Sequence, residues 1–169
     1  MFKINKKKLF ITKRGVTLPE LIVTIAIIGI LSAVSITAMT IAKRNAEVEA
    51  AAEEVVAVLR EAQNYSITGK DASPTCGTYT VSFANNNPSP STCRIRNGLV
   101  SPCVLDQTYA LKNGVTFSSV GNTSFTAPFG VVSPAVGTRN IVTKGGTSYT
   151  ICVNAAGLIT KRSGAVNCT

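Results

Sequence analysis

Histidine and tryptophan are absent from the 169-residue chain, and aromatic residues make up only 6% of it. Because histidine is the commonest general base and metal ligand, its absence excludes Ser-His-Asp and Cys-His catalytic sets. The cysteines show no C-x-x-C spacing for zinc, and Thr68-Gly69-Lys70 lacks the upstream glycine of a phosphate-binding loop. Composition therefore argues against an enzyme and predicts no cofactor and no metal.

Acidic residues are also scarce, at 8 against 17 Lys and Arg, which gives a formal net charge of +9. Six of those cations lie in the first 14 residues, with no acid among them. From residue 16 onward the count is 11 cations against 8 acids, so the rest of the chain is only mildly basic. Composition alone gives no case for nucleic-acid binding.

A run without any charged residue extends from Leu21 to Ala42 and ends at Lys43-Arg44. As a helix, these residues would span roughly 33 Å, which is enough to cross a hydrocarbon layer of about 30 Å. A secretory signal is one interpretation, with Ser32–Ser35 imitating a cleavage site, although its apolar core would be unusually long. A plain uncleaved anchor is another, and the basic residues before the run orient either one with its N-terminus in the cytoplasm.

The segment from Lys13 to Leu21, with the sequence KRGVTLPEL, supports a third interpretation. It resembles the processing motif of type IV prepilins and type II secretion pseudopilins. A basic leader, a glycine at position 15, a glutamate at position 20 and a Leu/Ile/Val/Ala run all fit. Two departures are Val16, where Phe is usual, and Pro19, which a first helical turn tolerates because its N–H groups have no partner there.

The resemblance implies a set of roles at this end of the chain. A membrane-bound prepilin peptidase would cut after Gly15 on the cytoplasmic side and methylate the new N-terminus at Val16. Glu20 would then be an assembly residue, pairing with the Val16 amine of a neighbouring subunit. The implied partners are therefore other pilin or pseudopilin subunits, the peptidase and the inner membrane.

Residues 45–69 predict a continuation of the helix with one apolar stripe. On a wheel of about 100° per residue, the stripe lies within about 40° of Val48 and comprises Ala52, Val55, Leu59 and Ala62. The acidic residues of this segment fall on other faces, which we interpret as solvated. Gly69 predicts the end of the helix.

Residues 71–169 show β-strand signals. Alternating or β-branched runs occur at 79–83, 93–96, 115–117, 141–143, 149–153 and 158–161. The Gly145-Gly146 pair predicts a hairpin between the fourth and fifth of these. Six or seven short strands after one helix predict an α+β fold, in which an antiparallel sheet packs on the apolar stripe.

The predicted organisation has four parts: a basic leader at 1–15, a transmembrane and assembly helix at 16–42, an amphipathic helix at 43–70, and a β-rich extracytoplasmic head at 71–169. The order of Gly114–Phe117, Phe125–Gly130 and the final hairpin with Gly157 loosely resembles the minor pseudopilin H group. We therefore expect a single-pass inner-membrane protein with an extracytoplasmic head that later enters a filament.

All five cysteines lie in the predicted head, which fits an oxidising compartment. If strands 79–83 and 93–96 pair, Cys76 and Cys93 would lie at the open end of one hairpin and form a disulfide. Cys168 would return to Cys152 and fix the C-terminal tail. Cys103 would remain, either as an intersubunit bridge or as a buried free thiol.

The head carries eight cations and two acids between residues 70 and 169. Arg94 and Arg96 share one strand face, and Lys161 and Arg162 follow the last strand, so these four are a candidate patch for an anionic ligand. Minor pilins that take up DNA carry a Gly-Arg-x-Arg motif, but the matching place here reads GLIT at 157–160. Nucleic-acid binding is therefore an alternative to the structural role, and not the favoured one.

Overall fold

The computed structural model describes residues 15–73, 75–86, 89–98, 103, 105–134 and 137–168. One helix, α1 (Leu18–Thr68), precedes the strands. Nine strands occur in the described residues: β1 (Thr78–Ala84), β2 (Thr92–Asn97), β3 (Asp106–Ala110), β4 (Thr116–Ser119), β5 (Thr123–Thr126), β6 (Val131–Ser133), β7 (Thr138–Lys144), β8 (Thr147–Val153) and β9 (Ile159–Ser163). The fold is α+β, as the sequence predicted.

The chain divides into two compact units, the first ending at Thr40 and the second beginning at Ile41. In the first unit, the apolar side chains of α1 are exposed, and Val34 and Ile36 keep 64% and 65% of their surface. The most apolar 18-residue window of α1 has a mean hydropathy of 2.5 and no buried share. By length and composition, α1 is able to cross a membrane.

In the second unit, the strands form two antiparallel sheets. The five-stranded sheet has the order β3-β2-β1-β5-β6, and the four-stranded sheet has the order β4-β7-β8-β9. The predicted β7–β8 hairpin is present: Lys144 lies opposite Thr147 across the Gly145-Gly146 turn, where both glycines have positive φ. The prediction of one sheet with six or seven strands was wrong.

Three strands, β3, β5 and β6, were not predicted, because apolar and polar residues alternate only weakly in their sequences. Strand β3 reads DQTYA and has no fully buried residue, while β6 has only three residues. Strand β5 reads TSFT and buries Thr123 and Phe125, so its inward face includes a threonine. Hydrophobic alternation, the signal used for the other strands, is therefore faint in all three.

The predicted apolar stripe of α1 is the centre of the core. Val48, Ala52, Val55, Leu59 and Ala62 are each fully buried. They share one hydrophobic cluster with residues of both sheets, including Tyr79, Val81, Ile95 and Phe125 from the five-stranded sheet and Val142, Ile151 and Val153 from the four-stranded one. The segment of α1 in this unit is thus held by burial of one face.

The first disulfide corrects a predicted pairing. Cys76 is joined to Cys103, and not to Cys93. In the β1–β2 register Cys93 lies opposite Phe83, beside the turn that closes the hairpin, whereas Cys76 precedes β1 at the open end. The predicted pairing of the two strands is correct, but Cys93 lies at the opposite end of the hairpin from Cys76.

The second disulfide joins Cys152 to Cys168, the pairing expected from the sequence. Cys93 is the cysteine that keeps a free thiol, and it is fully buried in the core. Burial, reinforced by the Glu54 carboxylate, raises the pKa of Cys93 to about 12. The thiol therefore stays protonated at neutral pH, which favours the interpretation of a buried core residue, here Cys93 and not Cys103.

Candidate functional site

The three residues singled out at the N-terminus lie together where α1 begins. Gly15, Val16 and Thr17 are non-helical, and the helix starts at Leu18. Its first backbone bond runs from the N–H of Leu21 to the carbonyl of Thr17, at 3.1 Å. Apart from Gly15, the predicted leader lies outside the described residues.

The Gly15–Val16 peptide bond is exposed and lies outside the helix. Val16 keeps 67% of its surface. A Cβ added at Gly15 would meet no described atom within 4 Å. Within the described part of the chain, no neighbouring atom therefore requires a glycine at this position.

Glu20 lies in the first turn of α1, with an exposed side chain. A carboxylate at this position interacts favourably with the partial positive charge of a helix N-terminus. It makes no ion pair with another described residue, so its charge is available to a partner outside this chain. Gly15, Val16 and Glu20 thus form a compact set within six residues, followed directly by the apolar run.

Five hydroxyl residues interrupt the apolar run, and each donates to a carbonyl of its own helix. Ser32, for example, donates to Ile28 at 2.7 Å, and Ser35 to Leu31 at 2.8 Å. The same holds for Thr24, Thr37 and Thr40. Because their donors are satisfied locally, these side chains are compatible with lipid or with packed helices.

The family model described as the prokaryotic N-terminal methylation motif matches residues 12–36. Residues 12–36 carry the type IV pilin and pseudopilin signature. This methylation motif confirms the resemblance seen in the sequence and supports a pilin-like or pseudopilin subunit. It covers the start of α1 and ends before the head, so the resemblance of the head to the H group stays a prediction. No curated protein and no solved structure matches the chain.

The candidate anionic-ligand patch in the head is divided between the two sheets. Arg94 and Arg96 lie on β2, whereas Lys161 and Arg162 lie on β9. Arg94 is paired with Asp106 of the neighbouring strand, and this ion pair lowers the pKa of Asp106. Lys161 also pairs with carboxylates, so two of the four cations already have acidic partners.

Lys161 is paired with two carboxylates of α1, a contact that was not predicted from the sequence. Its ammonium lies 3.0 Å from Glu49 and 2.5 Å from Glu53, one helical turn apart on α1. These two carboxylates raise the pKa of Lys161. The acidic side of the helix is therefore partly contacted by the head, while Glu49 and Glu53 keep 52% and 59% of their side-chain surface exposed, as expected for a solvated face.

A second polar cluster joins α1 to the five-stranded sheet. Glu61 accepts hydrogen bonds from the hydroxyls of Tyr65 and Tyr109, the latter at 2.7 Å. Burial and the Glu61 carboxylate together raise the pKa of Tyr109. Within the described residues, no group of three or more His, Cys, Asp or Glu side chains is placed to hold a metal ion. These clusters stabilise the packing of the helix, and none has the form of a catalytic set.

Proposed function

We propose that this chain is a structural minor pilin or pseudopilin that is cleaved after Gly15 and N-methylated at Val16. The observation that carries the proposal is the methylation motif at residues 12–36, positioned so that an exposed, non-helical Gly15–Val16 bond precedes an apolar helix. The subunit would wait in the inner membrane with its head outside the cytoplasm. It would then pack by residues 16–42 into a type II secretion pseudopilus or a type IV pilus.

The proposed division of labour follows the two units. The apolar part of α1 is the membrane and assembly segment, and residues 43–70 link it to the head at 71–169 by burial of one face. The proposed partners are other pilin or pseudopilin subunits and the prepilin peptidase. Energy for assembly would come from a separate ATPase, and we propose no enzymatic activity for this chain.

Binding of DNA is the weaker alternative. Of the four cations named for it, Arg94 and Lys161 are engaged by carboxylates. A gel shift at two salt concentrations tests this alternative, because phosphate contacts weaken steeply with salt. We expect the protein not to retard DNA in the gel at physiological ionic strength. Retardation that weakens steeply as the salt concentration rises would favour the DNA-uptake role.

Mass spectrometry of the N-terminus tests the structural proposal. Membrane-bound protein from a host with a prepilin peptidase should begin at N-methylated Val16. The variant Gly15→Leu should keep its leader, while Gly29→Leu should be processed normally. The two glycines make a matched pair, since neither has a described atom within 4 Å of an added Cβ. A mature protein beginning at Met1, or after residue 33, would contradict the proposal.

A further inference from the structure

Four cations lie near the segment of α1 that begins the second unit. We call them the basal cluster: Lys43, Arg44, Lys112 and Lys144. The turn between β7 and β8 lies against the first turn of α1 in the second unit. Thr147 donates to Asn45 at 2.7 Å, and Lys144 lies 2.6 Å from Glu47. These contacts fix the hairpin end at the level of residues 44–47.

Arg44 packs directly on the glycines of that turn. A Cβ at residue 145 would lie 2.7 Å from Nη1 of Arg44, so only the bare backbone of Gly145 allows the guanidinium this position. Its Nε is buried and has no hydrogen-bond partner among the described residues. No ion pair joins Arg44 to another described residue either. The guanidinium therefore packs on the turn without a carboxylate partner among the described residues.

Lys112 is brought to the same end by the loop between β3 and β4. Lys144 donates to the carbonyl of Asn113, the residue that follows Lys112. Both Lys43 and Lys112 are exposed. Glu47 is the carboxylate of this region, and Lys43 lies close enough to contribute to lowering its pKa. The four cations of the basal cluster and the neighbouring Glu47 carboxylate together carry a net charge of +3.

The position of the basal cluster along α1 indicates its ligand. Lys43 and Arg44 follow the apolar run by one and two residues, or roughly 1.5 and 3 Å of helix. The headgroup layer on each side of a bilayer is about 5–8 Å thick. With residues 21–42 in the hydrocarbon, Arg44 and the turn that it contacts would lie within this layer. Glu49 and Glu53, the helix carboxylates that pair with Lys161, lie farther from the apolar run than Lys43 and Arg44 do.

We propose that the basal cluster binds the phosphate groups of anionic phospholipids while the subunit is in the membrane. Cationic side chains at a membrane surface are attracted to anionic lipid, and guanidinium and ammonium groups both pair with phosphate. The cluster holds the head against the bilayer until the helix is withdrawn into a filament. The inference rests on the membrane anchoring in the proposed function, and goes beyond it in naming a ligand for the head.

The test uses the full chain in nanodiscs of phosphatidylcholine, with and without 30% phosphatidylglycerol. Acetylation of lysines by an amine-reactive reagent is followed by mass spectrometry at Lys43 and Lys112. The exposed Lys70, two residues beyond the C-terminal end of α1, is the internal reference. We expect both basal lysines to react at least threefold more slowly in anionic discs, and Lys70 to react equally in both. Arg44→Gln should remove most of the protection of Lys112, whereas Arg60→Gln, the same change on the exposed side of the helix, should leave it intact.

The remaining arms distinguish the sources of phosphate and the point of failure. Inorganic phosphate, added to phosphatidylcholine discs at matched ionic strength, should not protect Lys112. Equal protection by inorganic phosphate, equal protection of Lys70, or unprotected Lys112 in anionic discs would each overturn the inference. A chain that does not co-elute with the discs would overturn the anchoring in the proposed function, and this inference with it. Co-elution with an unprotected Lys112 would overturn the inference alone.

Discussion

The carboxylate of Glu47 accepts a hydrogen bond of 2.6 Å from the ammonium of Lys144, which comes 97 residues later in the chain. This bond is the main reason that the pKa of Glu47 lies below its ordinary value of 4.5. It connects the part of α1 that begins the second unit to the end of β7, and we expect it to contribute to a pH dependence of stability.

A lowered carboxyl pKa stabilises the fold above the ordinary pKa, and this stabilisation is lost as the pH falls through the folded value. We expect Glu47→Gln to lower the melting temperature by a few degrees at pH 7. The variant should also lose less stability than the wild type between pH 5 and pH 3. Thermal unfolding followed by circular dichroism across this range measures both effects.

Glu54→Gln is the matched control, because Glu54 is on the same helix and makes no ion pair with a described residue. Its melting temperature should fall as steeply with acid as that of the wild type. If Glu47→Gln lost as much stability as the wild type between pH 5 and pH 3, the ion pair with Lys144 would contribute nothing measurable to the stability of the fold. Many exposed ion pairs contribute nothing measurable.

Glu20→Gln should be cleaved and inserted into the membrane normally, yet enter filaments poorly. In a filament the proposed partner of Glu20 is the Val16 amine of a neighbour, and removing one member of a buried charge pair costs about 3–5 kcal/mol. Glu20→Leu should not restore assembly, because the amine would then be the unpaired charge. Crosslinking to the major subunit measures incorporation. If Glu20→Leu were incorporated like the wild type, Glu20 would be only a marker of the membrane interface.

Gly98→Ala should prevent the Cys76–Cys103 disulfide. Gly98 has φ of +81°, and an added Cβ would lie 2.4 Å from Sγ of Cys103. Gly146→Ala is the matched control, since its φ is +88° but no atom lies within 4 Å. Both variants carry backbone strain of about 1–3 kcal/mol, and only Gly98→Ala has the collision. Counting thiols after denaturation should give three for Gly98→Ala and one for Gly146→Ala. One thiol in both would mean that the loop can move aside.

Cys93 should be unreactive in the folded protein. It is fully buried, and its pKa is raised to about 12, so almost no thiolate exists at pH 8. Iodoacetamide should leave the native chain unmodified and add one group, at Cys93, once the chain is unfolded without reductant. Modification of Cys93 in the native protein at the rate of a free thiol would contradict this burial.

The N-terminal methylation motif was recognisable in the sequence because its signals are local. Gly15, Val16 and Glu20 lie within six residues, and the apolar stripe from Val48 to Ala62 follows from helical periodicity alone. The contacts that were mispredicted or missed join residues that are far apart in the chain. The pairing of Cys76 depends on how a loop returns after β2, and the partners of Glu49 and Glu53 lie on β9. Neither periodicity nor charge pattern specifies which strand reaches the helix.

The disulfide at Cys168 and the ion pairs of Lys161 have a consequence for biosynthesis. Synthesis runs from the N-terminus to the C-terminus, so α1 leaves the ribosome before Lys161 and Cys168, the residues that hold β9 and the tail. The core around the apolar stripe of the helix therefore cannot be completed until β9 has been synthesised. A nascent head is exposed to aggregation throughout its synthesis, and a chain truncated before β9 would leave β8 as an open edge beside unpaired helix carboxylates.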